Sequence, residues 1–164
     1  MRKAGYVLPF ATAPSQCRFV LLGQERSNQK WSGFGGGLEG LETYREGAAR
    51  EAWEESLGFL DRHNTKIQDR LDHLFTVEDT GHAYFALEIP YEPALPEFYR
   101  RAYLFIQHCG KNRLEPHCTE KIRVAWVPWK HVKRTILQQK KLKNYPLQKT
   151  FCHEWLSAIQ EFDT

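Results

Sequence analysis

A mixed α/β domain, with a mixed sheet covered by helices on both faces, is the fold class the sequence predicts, and three observations predict it. Short apolar runs bounded by turn residues are interleaved with stretches of helical apolar spacing. The helical stretches do not alternate strictly with the strands, which argues against an all-parallel sheet. No internal repeat, low-complexity tract or linker divides the 164 residues, so 1–164 reads as one domain. At this length roughly two thirds of the unfolded surface can be buried. A hydrophobic content of 41% and an aromatic content of 13% supply the core.

In chain order, Tyr6 to Phe10 and Arg18 to Gly23 are apolar runs that read as strands. Gln24 to Lys30 is polar and reads as a hairpin loop, and Trp31 to Gly37 as a glycine-rich loop. Thr43 to Leu57 is rich in Ala, Glu and Arg and reads as a helix. Leu71 to Glu78 and Ala83 to Ile89 read as strands around a turn near Thr80-Gly81. From Leu95 to Cys109 the apolar residues fall at helical spacing, and Gly110 closes that helix. Arg123 to Val127 reads as a strand. Two C-terminal helices follow, near Trp129 to Gln139 and Leu147 to Phe162, the second with Leu147, Phe151, Trp155, Ile159 and Phe162 on one stripe.

Composition narrows the function classes. A net charge of +3 is too small to imply nucleic-acid binding by itself. Cys17, Cys109, Cys118 and Cys152 form no C-x-x-C pair and suggest neither a zinc site nor a disulfide framework. The apolar run near the N-terminus stops at Pro9 and does not read as a signal peptide. No segment is apolar enough to span a membrane. A cytoplasmic protein with reduced thiols is the expectation.

One stretch departs from this ordinary balance. Gly36 to Gly58 holds six glutamates directly behind a run of glycines. On a helix, Glu51, Glu54 and Glu55 fall on one face, where like charges repel by several tenths of a kcal/mol per pair. A divalent cation reverses the sign, because hard oxygen ligands suit Mg²⁺ or Mn²⁺. Arg50 could neutralise part of the charge without metal. The glycines let the backbone approach a ligand closely, offering carbonyls to metal and N–H groups to phosphate. Together these features suggest a metal–polyphosphate cradle.

The spacing carries a resemblance. Gly36 is followed by five residues and Glu42, then by seven and Arg50-Glu51, Ala52, Trp53, Glu54 and Glu55. This resembles the Nudix box, G-x5-E-x7-R-E-U-x-E-E-x-G-U, where U is a bulky aliphatic residue. Ala52 stands in place of the usual larger aliphatic. The closing glycine comes one residue late, at Gly58 after Leu57, which suggests a helix C-terminus extended by a residue. The resemblance implies an α/β/α sandwich with the box as loop–helix–loop, and the helix Leu95 to Cys109 as an insertion that could wall the cleft.

It also implies Mg²⁺-dependent hydrolysis of a nucleoside diphosphate linked to another moiety, with Mn²⁺ as an alternative ion. Glu54 and Glu55 would be the principal metal ligands, Glu51 a ligand or base, and a carbonyl of Gly35 or Gly36 a further ligand. Arg50 would orient the carboxylates and Glu42 would hold the loop. Glu120 is the candidate for a further catalytic glutamate after the box, with Glu115 and Glu78 as rivals.

Trp31-Ser32-Gly33-Phe34-Gly35-Gly36 is similar to the W-N-G-F-G-G of oxidised-purine nucleoside triphosphatases. Most Nudix proteins have Pro where Phe34 stands. Ser32 replaces an amide that contacts the purine in that subgroup, and one hydroxyl does not reproduce its paired donor and acceptor. Trp31, Ser32, Phe34 and Gly35 are therefore the substrate-binding candidates. Tyr6 and Phe10 are further candidates for stacking on a base, and Trp53 is expected to pack.

The leading expectation is a housecleaning hydrolase of nucleoside di- or triphosphates, with a nucleotide-type small molecule as partner. The alternatives are a pyrophosphohydrolase of a dinucleoside polyphosphate, ADP-ribose, nucleotide sugar or capped RNA, and a non-catalytic Nudix-fold binding module. Trp129 to Lys149 carries Lys130, Lys133, Arg134, Lys140, Lys141, Lys143 and Lys149 without an acid. It could follow an RNA backbone, though a solvated face is the simpler reading. A homodimer stays open, since no interface is identifiable.

Overall fold

A seven-stranded mixed sheet organises the chain in the computed structural model, which describes residues 2–61, 66–109, 119–138, 144–156, 159 and 162. The strands are β1 (Ala4–Thr12), β2 (Arg18–Glu25), β3 (Trp31–Ser32), β4 (Phe34–Gly37), β5 (Asp72–Val77), β6 (His82–Glu88) and β7 (Lys121–Pro128). The helices are α1 (Tyr44–Glu55), α2 (Ile67–Arg70), α3 (Leu95–Cys109), α4 (Trp129–Gln138) and α5 (Lys149–Leu156). The order is β3-β2-β1-β6-β5, with β4 also pairing β1 and β7 pairing β2. β1 runs parallel to β6, with Tyr6 opposite Tyr84. The β1–β4 and β2–β7 pairs are antiparallel.

The two faces follow from the period of two along each strand. Val7 and Leu21 enter one core with Phe34, Ala48, Ala52, Leu95 and Tyr99. Their neighbours Leu8, Val20 and Leu22 enter the other with Trp129, Val132, Phe151 and Trp155. Helices α1 and α3 thus cover one face and α4 and α5 the other, the expected sandwich. α4 buries Trp129, Val132, Thr135 and Ile136 and leaves Lys130 and Arg134 in solvent. Of the rest of the basic run, Lys140, Lys141 and Lys143 lie outside the described residues, as do Glu115, Gly110, Cys118, Gln139 and the side chain of Cys109. Cys17 and Cys152 carry free thiols. No helix among the described residues is long and apolar enough to cross a membrane.

Three expectations need correction. The segment Trp31 to Gly37 contains strand backbone, and β4 pairs residue by residue with Ala4 to Val7. The late glycine does not lengthen α1, which ends at Glu55 with Ser56 as its cap. Leu57 takes the left-handed conformation (φ 54°) where a glycine is usual, and Gly58 follows at φ 77°. The bonds Gly58 N–H to Trp53 C=O (2.8 Å) and Leu57 N–H to Glu54 C=O (3.1 Å) close the turn. Trp53, expected to pack, is 49% exposed on the outer face of α1.

The N-terminus of α1 is set by a capping box. The Thr43 hydroxyl accepts the Glu46 N–H, and the Glu46 carboxylate accepts the Thr43 N–H at 2.8 Å. The inward face of α1 carries Gly47, Ala48, Ala49 and Ala52, so the helix lies close on the sheet. The contact is closest at Gly5 of β1. A Cβ there would sit 2.5 Å from the Tyr44 carbonyl oxygen and 2.8 Å from the Ala48 Cβ. Gly5→Ala is therefore expected to force α1 outward and cost about 2 kcal/mol, within the range of overpacked cores. Urea unfolding followed by circular dichroism measures this; an unchanged midpoint would show that the helix has room to move.

Candidate active site

Helix α1 and strand β4 bring the box glutamates together around Arg50. The guanidinium donates to both oxygens of Glu42, from Nε at 2.8 Å and Nη2 at 3.1 Å. Nη2 also donates to the Gly37 carbonyl at 3.0 Å. Nη1 reaches Glu51 at 3.0 Å and Glu54 at 3.4 Å. Arg50 therefore fastens the loop through Glu42 and Gly37 and restrains two helix carboxylates with its remaining arm. The Arg50 side chain beside Glu42 holds that carboxyl below its usual range, and Glu42 in turn raises the guanidinium.

Glu51 lies directly over β4. A Cβ at Gly36 would fall 2.7 Å from the Glu51 carboxyl carbon and Oε1, so only glycine leaves room for that carboxylate. Burial raises the Glu51 carboxyl; Arg50 opposes this, and the charges of Glu54 and Glu120 add to it. Glu120 is exposed just before β7, and its backbone carbonyl accepts the Arg26 N–H at 2.8 Å. The expected further glutamate thus lies within electrostatic reach of the box. Glu78 sits in the β5–β6 turn, and among the described residues no contact joins it to the box.

Glu55 faces another way. It is 3% exposed, and its Oε2 accepts the Gly35 N–H at 2.8 Å. Its Oε1 lies 3.8 Å from Nζ of Lys121, a side chain 1% exposed. Lys121 also pairs with Glu25 Oε1 and donates to Ser32 Oγ at 3.0 Å. Its stem crosses Gly23, where a Cβ would meet Lys121 Cδ at 2.9 Å. Tyr99 of α3 fixes the junction from behind, its hydroxyl at 2.9 Å from both the Glu55 and the Lys121 carbonyls. The helix expected as an insertion therefore braces the site.

The other side of β4 opens on a cavity of about 200 Å³. Tyr6, Glu25, Ser32, Gly33, Gly35 and Tyr84 line it together with His82, Phe151 and Trp155. Glu154, buried behind this wall, holds His82 Nδ1 at 2.9 Å and accepts the Tyr84 hydroxyl. Burial, then the charge of Glu154, pushes the Tyr6 phenol up to about 12, so it keeps its proton at neutral pH. Trp155 is fully buried, and its indole N–H has no partner among the described residues.

Of the sequence candidates for substrate contact, Ser32, Gly35 and Tyr6 line this cavity. Trp31 and Phe34 are buried at 3% and 0% and belong to the two cores, so packing replaces the stacking expected of them. Phe10 packs edge-on against Phe162 at 5.4 Å. Glu25, His82, Tyr84, Glu154 and Lys121 were not singled out by sequence. Tertiary pairing alone brings them here.

The donor set at Arg50 is all oxygen and acid-rich, and it lies against a glycine that leaves no side chain in the way. That suits a hard divalent cation. Among the described residues no three acidic, histidine or cysteine side chains stand preformed around one point, because Arg50 and Lys121 take the carboxylates instead.

Burial pushes the Glu55 carboxyl up to about 8, from a usual 4.5, against the opposing pull of Lys121. The metal-free folded protein then keeps this proton between about 4.5 and about 8, where the unfolded chain releases it. The folded state binds more protons in that window, so stability falls as pH rises through it. Glu55→Gln is expected to flatten this slope. Urea midpoints in EDTA across the window measure it; an identical slope in both proteins would remove Glu55 as its source.

Comparison with known proteins places these features. The NUDIX domain model matches residues 6–148. No curated protein sequence matches the chain. Among solved structures the chain is similar to a MutT/nudix family protein from Enterococcus faecalis, with TM-score 0.59 and 13% identity, covering 99% of this chain and 62% of that one. It is also similar to the NUDIX domain of Shewanella oneidensis NrtR complexed with ADP ribose, with TM-score 0.57, 15% identity and coverage of 100% and 89%. A C. elegans Ap4A hydrolase gives TM-score 0.50, 13% identity and coverage of 99% and 96%. At these identities the structures share a fold, whereas the family model spans most of the sequence together with its acidic box: the chain belongs to the NUDIX domain family.

Proposed function

We propose that this Nudix pyrophosphohydrolase cleaves a diphosphate linkage in a nucleoside di- or triphosphate with the help of Mg²⁺, or Mn²⁺ in its place. The observation that carries the reading is the shared position of Gly35-Gly36. One side of this dipeptide meets the carboxylates of Glu55 and Glu51, and Gly35 also borders the aromatic cavity. A polyphosphate on the acidic side would leave its nucleoside facing the cavity.

Glu51, Glu54, Glu55 and the Gly36 carbonyl would hold the cation, with Arg50 and Lys121 giving up part of their hold on the carboxylates. When bound, the cation neutralises the phosphate oxygens and acidifies water. The remaining work belongs to the chain. Glu51, where it is not engaged as a ligand, is placed to take the proton of the attacking water, with Glu120 as the alternative. Water oxygen bonds to phosphorus, the bridging P–O bond breaks, and its electron pair leaves with the departing phosphate. Arg50 keeps Glu51 and Glu54 in register while Glu42 anchors Arg50. Tyr6, half-buried, offers ring surface to a base, and Tyr84 backs it, stacked between Tyr6 and Phe75.

A larger substrate such as a dinucleoside polyphosphate or ADP-ribose is the second reading. Structures titled as an Ap4A hydrolase and as an ADP ribose complex share the fold. The test is phosphate or pyrophosphate release against canonical and oxidised dNTPs, ADP-ribose, diadenosine polyphosphates, nucleotide sugars and capped RNA. One substrate is expected to dominate, with EDTA abolishing turnover and Glu54→Gln lowering kcat by about 100-fold or more. Full activity of Glu54→Gln would defeat the assignment. Binding of one compound without turnover by the wild type would favour a binding module.

A further inference from the structure

Lys121 is buried too completely for an ordinary surface ion pair, since its side chain is 1% exposed and its Nζ meets Glu25, Ser32 and Glu55. Taking a lysine out of water costs several kcal/mol unless geometry repays it. Here the pair fixes the polar part of the cavity wall. Lys121 holds Oε1 of Glu25, and Ser32 Oγ lies 3.3 Å from the same oxygen. Ser32 accepts from Lys121, and its own proton can be taken by Glu25 or by the Gly33 carbonyl at 3.1 Å. The Ser32 hydroxyl is therefore engaged within the wall, not offered to a ligand. Glu25 Oε2 carries no hydrogen bond among the described residues, and Glu25 lines the cavity beside Tyr6 and Tyr84.

We infer that Glu25, clamped by Lys121, is a specificity-determining residue whose second carboxylate oxygen accepts an N–H from an amino-bearing purine in the cavity. A carboxylate only accepts hydrogen bonds, so the ligand edge facing it must donate. The half-buried Tyr6 ring in the wall calls for a flat ring and the carboxylate for an exocyclic amino group on it. This inference rests on the cavity being the base site of the proposed nucleotide substrate.

The clamp makes the test directional. In Glu25→Gln, Lys121 selects the amide oxygen, so the amide NH₂ takes the place of Oε2 and the acceptor becomes a donor. Calorimetric binding in EDTA would use two pairs of nucleoside monophosphates that differ by one amino group. These are guanosine against inosine monophosphate, and adenosine against purine riboside monophosphate. Wild type is expected to bind the amino-bearing member of at least one pair about tenfold or more tightly, as a hydrogen bond to a charged group implies. Glu25→Gln is expected to remove that preference. Glu25→Leu combined with Lys121→Met removes the acceptor together with its clamp and serves if the single variant does not fold. The inference is overturned if wild type shows no preference in either pair, or if the preference survives in the variant that folds. Because no metal or turnover enters this measurement, its failure is separable from a failure of the hydrolase reading.

Discussion

The close approach of α1 to β1 and β4 is the constraint on which the rest depends. It exists because the contacting residues are small: Gly5 and Gly36 on the sheet, Ala48 and Ala52 on the helix. Ala52 fits the same requirement, since a larger aliphatic would press on the sheet. The helix then delivers Glu51 onto the backbone of Gly36 and Glu55 onto the N–H of Gly35. A helix held further out would carry the same carboxylates and place none of them against that backbone.

Two cations divide the acid that this packing concentrates. Arg50, partly exposed, ties Glu42, Glu51 and Glu54 and can release them at modest cost, because solvent screens the exchange. Lys121, fully buried, ties Glu25 and approaches Glu55, and breaking it open would leave an unpaired charge in a low dielectric. One set is adjustable and suited to exchanging a guanidinium for a metal. The Lys121–Glu25 pair is rigid and suited to fixing the shape of a wall, while the looser approach to Glu55 at 3.8 Å leaves that carboxylate free to turn to a metal. Tyr99 braces this second set, its hydroxyl 2.9 Å from the backbone carbonyls of Glu55 at the end of α1 and of Lys121 at the start of β7.

Much of this was legible in the sequence where it was local. The acidic helix and the amphipathic α3 follow from spacing within one element, and the family follows from the box. Strand β4 was not legible, because four residues reading Phe-Gly-Gly-Gly have poor strand propensity and are held by pairing with β1. The turn at Leu57 was misread because a leucine accepts a backbone conformation that normally selects glycine. The cavity wall was invisible for a different reason. Glu25 and Lys121 stand 96 residues apart and meet only because β2 pairs with β7. Trp31 and Phe34 were candidates for substrate contact through the resemblance of their motif, while the sheet turns both rings into the cores.

The central claim is that the Arg50-centred carboxylates form a divalent-metal site over Gly36. Anomalous diffraction at the manganese edge from crystals grown with Mn²⁺ tests it most directly. A peak bounded by Glu51, Glu54, Glu55 and the Gly36 carbonyl is expected, with the Arg50 side chain moved off at least one carboxylate. A peak elsewhere, or Arg50 still bridging Glu51 and Glu54 at saturating Mn²⁺, would contradict it.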